Sequence, residues 1–226
     1  MTMRFVFLDL DDTLLDFGAA ERVALEKAFC ALGVEPTDAL LARYKEINRA
    51  YWEAMERGEI TRGEVLTGRF AALFAERGLA IDPVHCNAVY ETHLAVGHWF
   101  VDGAPELLEY LFPKYELYLA SNGVARTQYA RLESADLYRW FRQIFISETT
   151  GHHKPEKAYF DYCFARIDGF DPEQAMIVGD SLSSDIQGGK NAGIRTCWFN
   201  PAGKPGRPEL KPDYEIRSLA ELRGIL

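Results

Sequence analysis

Phe5-Val6-Phe7-Leu8-Asp9-Leu10-Asp11-Asp12-Thr13-Leu14-Leu15 is the stretch that decides the fold. Phe5 to Leu8 is an unbroken apolar run, the pattern of a strand buried on both faces of a parallel sheet. Aspartates at 9, 11 and 12 follow it at once. Aspartate is disfavoured in strands and costly to desolvate, so a cluster at the end of a buried strand calls for positive charge from elsewhere. Ligands of open α/β sheets bind at the carboxyl ends of the strands. A metal ion and a phosphate are the partners expected there. Turn chemistry is the competing reading, because aspartate also favours turns and helix N-caps. The rest of the chain must decide.

Outward from this stretch the pattern changes. Ala20–Leu32 reads as a helix stopped by Gly33, and Thr37–Met55 as a second, with Leu40, Leu41, Tyr44, Ile47, Tyr51 and Met55 spaced for one face. Thr61 with Glu64 is a capping-box pattern opening a third helix, which ends near Gly78. A fourth covers Pro83 to about Val96. Residues 17–97 are therefore expected to form an inserted bundle of about four helices. Beyond Asp102 strands and helices alternate. Strands are expected at Tyr115–Ala120, Gln143–Ser147, Ala175–Val178 and Arg195–Phe199, with a weak one near Tyr214. Helices are expected at Glu106–Leu111, Arg126–Ala135, Pro155–Ile167 and Asp185–Asn191, and a last one opens at Ser218 with Glu221. Alternation of this kind implies an α/β class with a Rossmann-like parallel sheet and helices on both faces. Residues 1–16 and 98–226 would form that core.

The chain has 226 residues, 48% hydrophobic and 26% charged, with a net charge of −9. This is ordinary globular composition. The negative balance argues against a nucleic-acid polymer as partner, because such binding needs Lys and Arg to neutralise phosphates. No apolar run approaches the roughly 18 residues that span a bilayer, and no secretory signal is evident, so no membrane partner and a cytoplasmic location are expected. Cys30, Cys86, Cys163 and Cys197 show neither a C-x-x-C pair nor zinc spacing, and read as small buried or half-buried apolar residues.

Polar residues of matching purpose stand at three predicted strand ends. The first strand leads into Asp9, Asp11 and Thr13, the next into Ser121-Asn122-Gly123, and Ile177-Val178 into Gly179-Asp180 with Asp185 beyond. Lys154 lies in a loop before a helix. In a parallel sheet these ends share one edge. Phosphoryl transfer explains each residue type. A carboxylate can attack phosphorus and split hydrolysis into two easier steps. Carboxylate and phosphate repel, so the attack needs Mg²⁺ on the acids and a lysine on the phosphate oxygens. A second acid two residues on can protonate the leaving alkoxide and later deprotonate water.

At this point the chain resembles the haloacid dehalogenase superfamily of phosphatases, over nearly its whole length. Asp9-Leu10-Asp11-Asp12-Thr13 fits the D-x-D-x-T motif, Ser121 the Ser/Thr motif, Lys154 the motif lysine, and Gly179-Asp180 with Asp185 the terminal acidic motif. The inserted helices resemble the family's helical cap of the first type (C1). The resemblance implies Asp9 as nucleophile and Asp11 as general acid/base, with Ser121, Asn122 and Lys154 binding the phosphoryl group. It also implies Mg²⁺ held by the Asp9 carboxylate, the Asp11 carbonyl and Asp180, with Asp185 a direct or water-mediated partner. Asp12, Asp16, His152 and His153 have no such role and read as turn or loop residues. Phe17, Tyr51, Trp52 and Arg69 are the cap candidates to touch a leaving group, although Tyr51 and Trp52 can equally pack helices together.

Within the superfamily, Trp52–Thr61, Arg69-Phe70, Phe160-Asp161-Tyr162 and Ser184–Asn200 are similar to 5′-nucleotidases acting on pyrimidine and non-canonical nucleoside monophosphates. Parts of the latter two segments also resemble sialic-acid 9-phosphate phosphatases. The expected partner is thus a small phosphomonoester, and the expected state a monomer or homodimer. Phosphosugar phosphatase, phosphoglycolate phosphatase and phosphosugar mutase are the alternatives. A 2-haloacid dehalogenase needs no second acid, so Asp11 opposes it. A non-catalytic binding protein is opposed by the presence of Asp9, Asp11, Lys154 and Asp180 together.

Overall fold

Phe5–Leu8 becomes an inner strand, β1, of a six-stranded parallel sheet in the computed structural model, which describes residues 3–226. The other strands are β2 (Glu116–Ser121), β3 (Gln143–Ile146), β4 (Ala175–Gly179), β5 (Arg195–Phe199) and β6 (Tyr214–Ile216), in the order β3-β2-β1-β4-β5-β6. Every residue of β1 is fully buried, as the unbroken apolar run predicts. Phe5 and Phe7 point to one face and meet Tyr118, Phe145, Tyr159, Phe160 and Ile177. Val6 and Leu8 point to the other and meet Leu107, Leu108, Leu111, Leu132, Leu219 and Leu222. Truncating Phe7 to alanine would cost about 3–5 kcal/mol through lost burial and the cavity left behind.

The chain divides into two compact units, the stretch ending at Phe17 with His98–Leu226, and Gly18–Gly97. Phe17 thus falls with the sheet and not with the helices, one residue later than expected. Its main-chain N–H donates to Asp12 Oδ1 at 2.9 Å, which fastens it to the turn after β1.

The helical unit consists of α1 (Phe17–Ala31, less its first residue), α2 (Asp38–Glu56), α3 (Arg62–Arg77) and α4 (Pro83–Leu94). Thr61 and Glu64 form the expected capping box, and Gly78 closes α3 in the left-handed conformation at φ 64°. Thr37 caps α2 and Asp82 caps α4. In the sheet unit the helices are α5 (Ala104–Leu111), α6 (Ala125–Ser134), α7 (Ser147–Thr150), α8 (Lys157–Phe164) and α9 (Gln187–Ala192).

Two expectations are corrected here. Helix α8 starts at Lys157, so Pro155 lies in the connection before it and not in its first turn. A π-helical turn, Leu182–Ile186, precedes α9 where a plain helix start was expected. Cys86, Cys163 and Cys197 are buried, but Cys30 is exposed on α1. Among the described residues no helix is long and apolar enough to cross a membrane.

Candidate active site

Register brings the polar strand ends together. Leu8 pairs with Leu119 of β2 on one side and with Val178 of β4 on the other. One residue on, Asp9 therefore stands level with Ala120 and Gly179, and its N–H donates to Val178 O at 3.0 Å. After Asp9 the chain turns sharply. Leu14 and Leu15 both donate to Leu10 O at 2.9 Å, and Asp12 takes the left-handed conformation at φ 56°. Aspartate tolerates that conformation better than most residues. Exposed Asp12 thus serves the turn, and its carboxylate fastens Phe17.

Lys154 is the positive centre. It is 1% exposed, and its ammonium donates to Asp9 Oδ1 at 2.6 Å, Asp185 Oδ1 at 2.7 Å and Ala120 O at 2.6 Å. An ammonium has three protons, so in this arrangement each has an acceptor, and a phosphate oxygen would replace one of the three. The Lys154 main chain is clamped by Asn122, whose amide nitrogen donates to Lys154 O at 2.8 Å while its Oδ1 accepts from Lys154 N–H at 2.9 Å. The side chain of Asn122 is therefore turned to the lysine loop. The amide holds Lys154, which corrects a phosphate contact through that amide and not one through the Asn122 main chain.

The acids are crowded. Ligand oxygens of Asp9, Asp180 and Asp185 all lie within 4.8 Å of one another. Burial pushes the Asp9 carboxyl up to about 7, against the attraction of Lys154 and with help from Asp185 and Asp11. Burial, then Asp9, Asp185 and Asp12, hold Asp180 well above the ordinary carboxylate range. Burial alone would lower Lys154, but Asp185 and Asp9 keep it above its usual value. A single lysine does not balance this many carboxylates. Three hard oxygen donors with excess negative charge fit a divalent cation such as Mg²⁺. Asp185 is fixed in place by Ser181 N–H at 3.1 Å, and a Cβ on Gly179 would collide with its carboxylate, so only glycine serves there. Trp198 Nε1–H donates to Asp180 O at 2.8 Å and holds that loop against β5.

Two residues absent from the sequence reading belong to this site. Gln128 and Arg131 lie on the inner face of α6, with Thr127 and Leu132. Gln128 Nε2 donates to Asp11 Oδ2 at 2.7 Å and to Ser121 Oγ at 2.8 Å. Fully buried Arg131 forms an ion pair with Asp11 through Nη1, which also donates to Gln128 Oε1 at 3.0 Å. Polar residues fill most of the buried positions of this helix where apolar ones are the norm, a pattern that only the packing of α6 reveals. Thr13 Oγ1 reaches Asp9 Oδ2 only at 3.5 Å, a long contact.

The remaining predicted residues are distributed as follows. Half-buried Phe17 has its ring centroid 5.8 Å from the Arg131 guanidinium carbon. Tyr51, half-buried on α2, packs against Gly68 of α3, where a Cβ would approach its ring to 2.6 Å. Trp52 is half-buried on α2. Arg69 is 3% exposed inside the helical unit, donating to Asn48 Oδ1 at 2.8 Å and Asn87 Oδ1 at 2.9 Å. Its expected contact with a leaving group is therefore corrected, since its hydrogen bonds serve the helix bundle. His153 Nε2 and Glu156 Oε1 lie 2.9 Å apart, and His152 contacts the same glutamate, as loop residues would.

Comparison with known proteins agrees with this geometry. The haloacid dehalogenase-like hydrolase family model matches residues 3–193. The HAD-hydrolase YfnB of Bacillus subtilis is 46% identical over 223 residues, covering 99% of this chain and 95% of that protein. Its crystal structure, bound to magnesium and described as revealing interdomain movement, superposes with a TM-score of 0.96 over 100% of this chain and 99% of that one. Pyrimidine 5′-nucleotidase PynA of Streptococcus pneumoniae is 38% identical, covering 100% of this chain and 96% of that protein. Pyrimidine 5′-nucleotidase YjjG of Escherichia coli is 31% identical, covering 100% and 99%.

Proposed function

The chain belongs to the haloacid dehalogenase-like hydrolases, and from that premise we propose that it is a Mg²⁺-dependent phosphomonoesterase acting on nucleoside 5′-monophosphates through an aspartyl-phosphate. The observation that carries the reading is the Asp9 carboxylate at the end of β1, 2.6 Å from the Lys154 ammonium and within reach of Asp180 and Asp185. Asp9, the carboxyl of Asp180, the Asp11 carbonyl and, directly or through water, Asp185 would hold the ion. Mg²⁺ supplies positive charge that lets a carboxylate approach a phosphate.

Each remaining task falls to a side chain. Asp9 Oδ bonds to phosphorus as the ester P–O bond breaks, and the Asp11 carboxyl gives its proton to the departing alkoxide. The Asp11 carboxylate then takes a proton from water as the water oxygen bonds to phosphorus. The Asp9 O–P bond breaks, inorganic phosphate leaves, and both acids return to their starting state. Lys154 and the Ser121 hydroxyl hold phosphoryl oxygens, where negative charge grows in the transition state. A mutase would return the phosphoryl group to substrate instead, and nothing in the site favours that course.

The nucleotide preference is supported by the pyrimidine 5′-nucleotidases among the relatives. The helices of residues 18–97 are the unit that selects the leaving group, a role consistent with the interdomain movement described for YfnB. The test is phosphate release across pyrimidine and purine nucleoside monophosphates, phosphosugars and phosphoglycolate, with Mg²⁺ or with EDTA. The expected result is Mg²⁺-dependent release, fastest from pyrimidine deoxynucleotides. Turnover that survives EDTA contradicts the mechanism, and preference for a sugar phosphate contradicts the substrate.

A further inference from the structure

We propose that Gln128 and Arg131 are positioning residues that set both the Asp11 carboxyl and the Ser121 hydroxyl for catalysis through one shared amide. The proposal rests on the reading of Asp11 as general acid/base and of Ser121 as a phosphate contact.

Hydrogen-bond inventory carries it. A serine hydroxyl has one proton and two lone pairs. Ser121 Oγ accepts from Gln128 Nε2 at 2.8 Å and from Gly123 N–H at 3.1 Å. Both lone pairs are thereby occupied. The hydroxyl proton is the one hydrogen-bonding element of Ser121 left to offer, which makes the residue a donor toward a phosphoryl oxygen.

The same Nε2 gives its second proton to Asp11 Oδ2 at 2.7 Å. Arg131 fixes which way the amide faces. A guanidinium only donates, so the Gln128 atom 3.0 Å from Nη1 must be the carbonyl oxygen, and the NH₂ group must face Ser121 and Asp11. Arg131 Nη1 also pairs with Asp11 Oδ1, so each carboxylate oxygen takes a donor and the group cannot rotate without breaking both. The lone pairs that remain carry the proton passed to the leaving alkoxide and later taken from water.

Space is fitted to this arrangement as well. A Cβ on Gly123 would collide with the Gln128 side chain, and the Phe17 ring lies beside the Arg131 guanidinium. The ion pair joins a fully buried guanidinium to a half-buried carboxylate. In one turn of α6, positions 128 and 131 thus connect the phosphate donor to the proton-transfer group.

A leaving-group comparison in single turnover tests the proposal. Thymidine 5′-monophosphate leaves as an alkoxide that needs a proton, whereas p-nitrophenyl phosphate leaves as a stable phenolate. Gln128→Met keeps the side-chain volume and removes the amide. With excess folded enzyme and Mg²⁺, thymidine release is expected to fall on the order of 100-fold, the lower end of general acid catalysis, and nitrophenolate release less than about 10-fold. Arg131→Lys, which keeps a charge but not the planar fork, is expected to lose about 10-fold on the nucleotide alone.

Equal losses on both esters, or no loss in a folded variant, overturn the proposal. Should Gln128→Met not fold, Gln128→Glu has the same shape, replaces the donor to Asp11 by a carboxylate, and is judged by the same ratio. An inert wild-type protein on both esters would instead overturn the phosphatase reading on which the proposal rests.

Discussion

Lys154 in the sheet unit and Arg69 in the helical unit are both buried in polar networks, and these two networks are built on opposite plans. In the sheet unit Lys154 touches two carboxylates directly, with a third acid, Asp180, close by. In the helical unit Arg69 reaches carboxylates through intervening amides. It donates to Asn48 and Asn87, which in turn donate to Glu21 at 2.7 Å and Glu91 at 3.0 Å. Glu21, Asn48, Arg69 and Asn87 lie on α1, α2, α3 and α4, so one guanidinium ties four helices together. Tyr44, Phe70 and Tyr90 surround it, with ring centroids 5.9, 5.3 and 5.2 Å from the guanidinium carbon.

The difference separates structure from chemistry. Around Arg69 the charges are spaced by amides and packed among rings, which suits a permanent joint. Around Lys154 the acids outnumber the cation, and Asp9 and Asp180 are pushed up by burial. Natural folds retain such unfavourable charge where a ligand or a reaction needs it.

Removing each cation breaks the comparison most directly. Lys154→Met leaves Asp9 and Asp185 buried without their partner, so it should destabilise by about 3–5 kcal/mol and abolish turnover; a urea unfolding curve with an assay checks both. Arg69→Met leaves two buried amide oxygens without donors and should cost about 2–3 kcal/mol. Its kcat on p-nitrophenyl phosphate, corrected for the folded fraction, should stay within about threefold of wild type, because a residue outside the site gives the transition state no stabilisation to lose. A collapse of kcat in folded Arg69→Met protein would place that residue in the catalytic machinery and undo the contrast.

Asp180→Asn sharpens it from the other side. Relief of carboxylate crowding should raise the melting temperature in EDTA by a few degrees, about 1 kcal/mol of gain, and remove the stabilisation that Mg²⁺ gives the wild type. Calorimetry with and without the ion reads both effects. No corresponding gain is expected from Asn87→Ala, which should destabilise by about 1–2 kcal/mol.

Much of this was legible because backbone patterns are local. The Phe5–Leu8 run, the Thr61/Glu64 capping box and the strand-terminal acids each state their role within a few residues. Lys154 was legible as a charge needed by Asp9, although the two are 145 positions apart in sequence. What escaped were side chains whose meaning depends on packing across the fold. Gln128 and Arg131 look like ordinary helix residues until β2 and the turn after β1 are placed beside them. Asn122 follows a strand and was read toward the ligand through its backbone or its amide, and the amide instead matches the Lys154 peptide in shape and faces that way. Arg69 read as a residue free to meet a leaving group, because arginine rarely lies fully buried.

The central claim is that Asp9 becomes phosphorylated while Asp11 moves protons. The most direct test is intact-protein mass spectrometry after brief mixing with p-nitrophenyl phosphate and Mg²⁺, using Asp11→Asn and Asp9→Asn proteins. Phenolate departs without a proton, so Asp11→Asn should gain one phosphoryl group and lose it slowly, and peptide mapping should locate it at Asp9. Asp9→Asn should gain none and turn over at least about 10⁴-fold more slowly than wild type. A phosphoryl group on any other residue, or normal turnover by Asp9→Asn, would contradict the account.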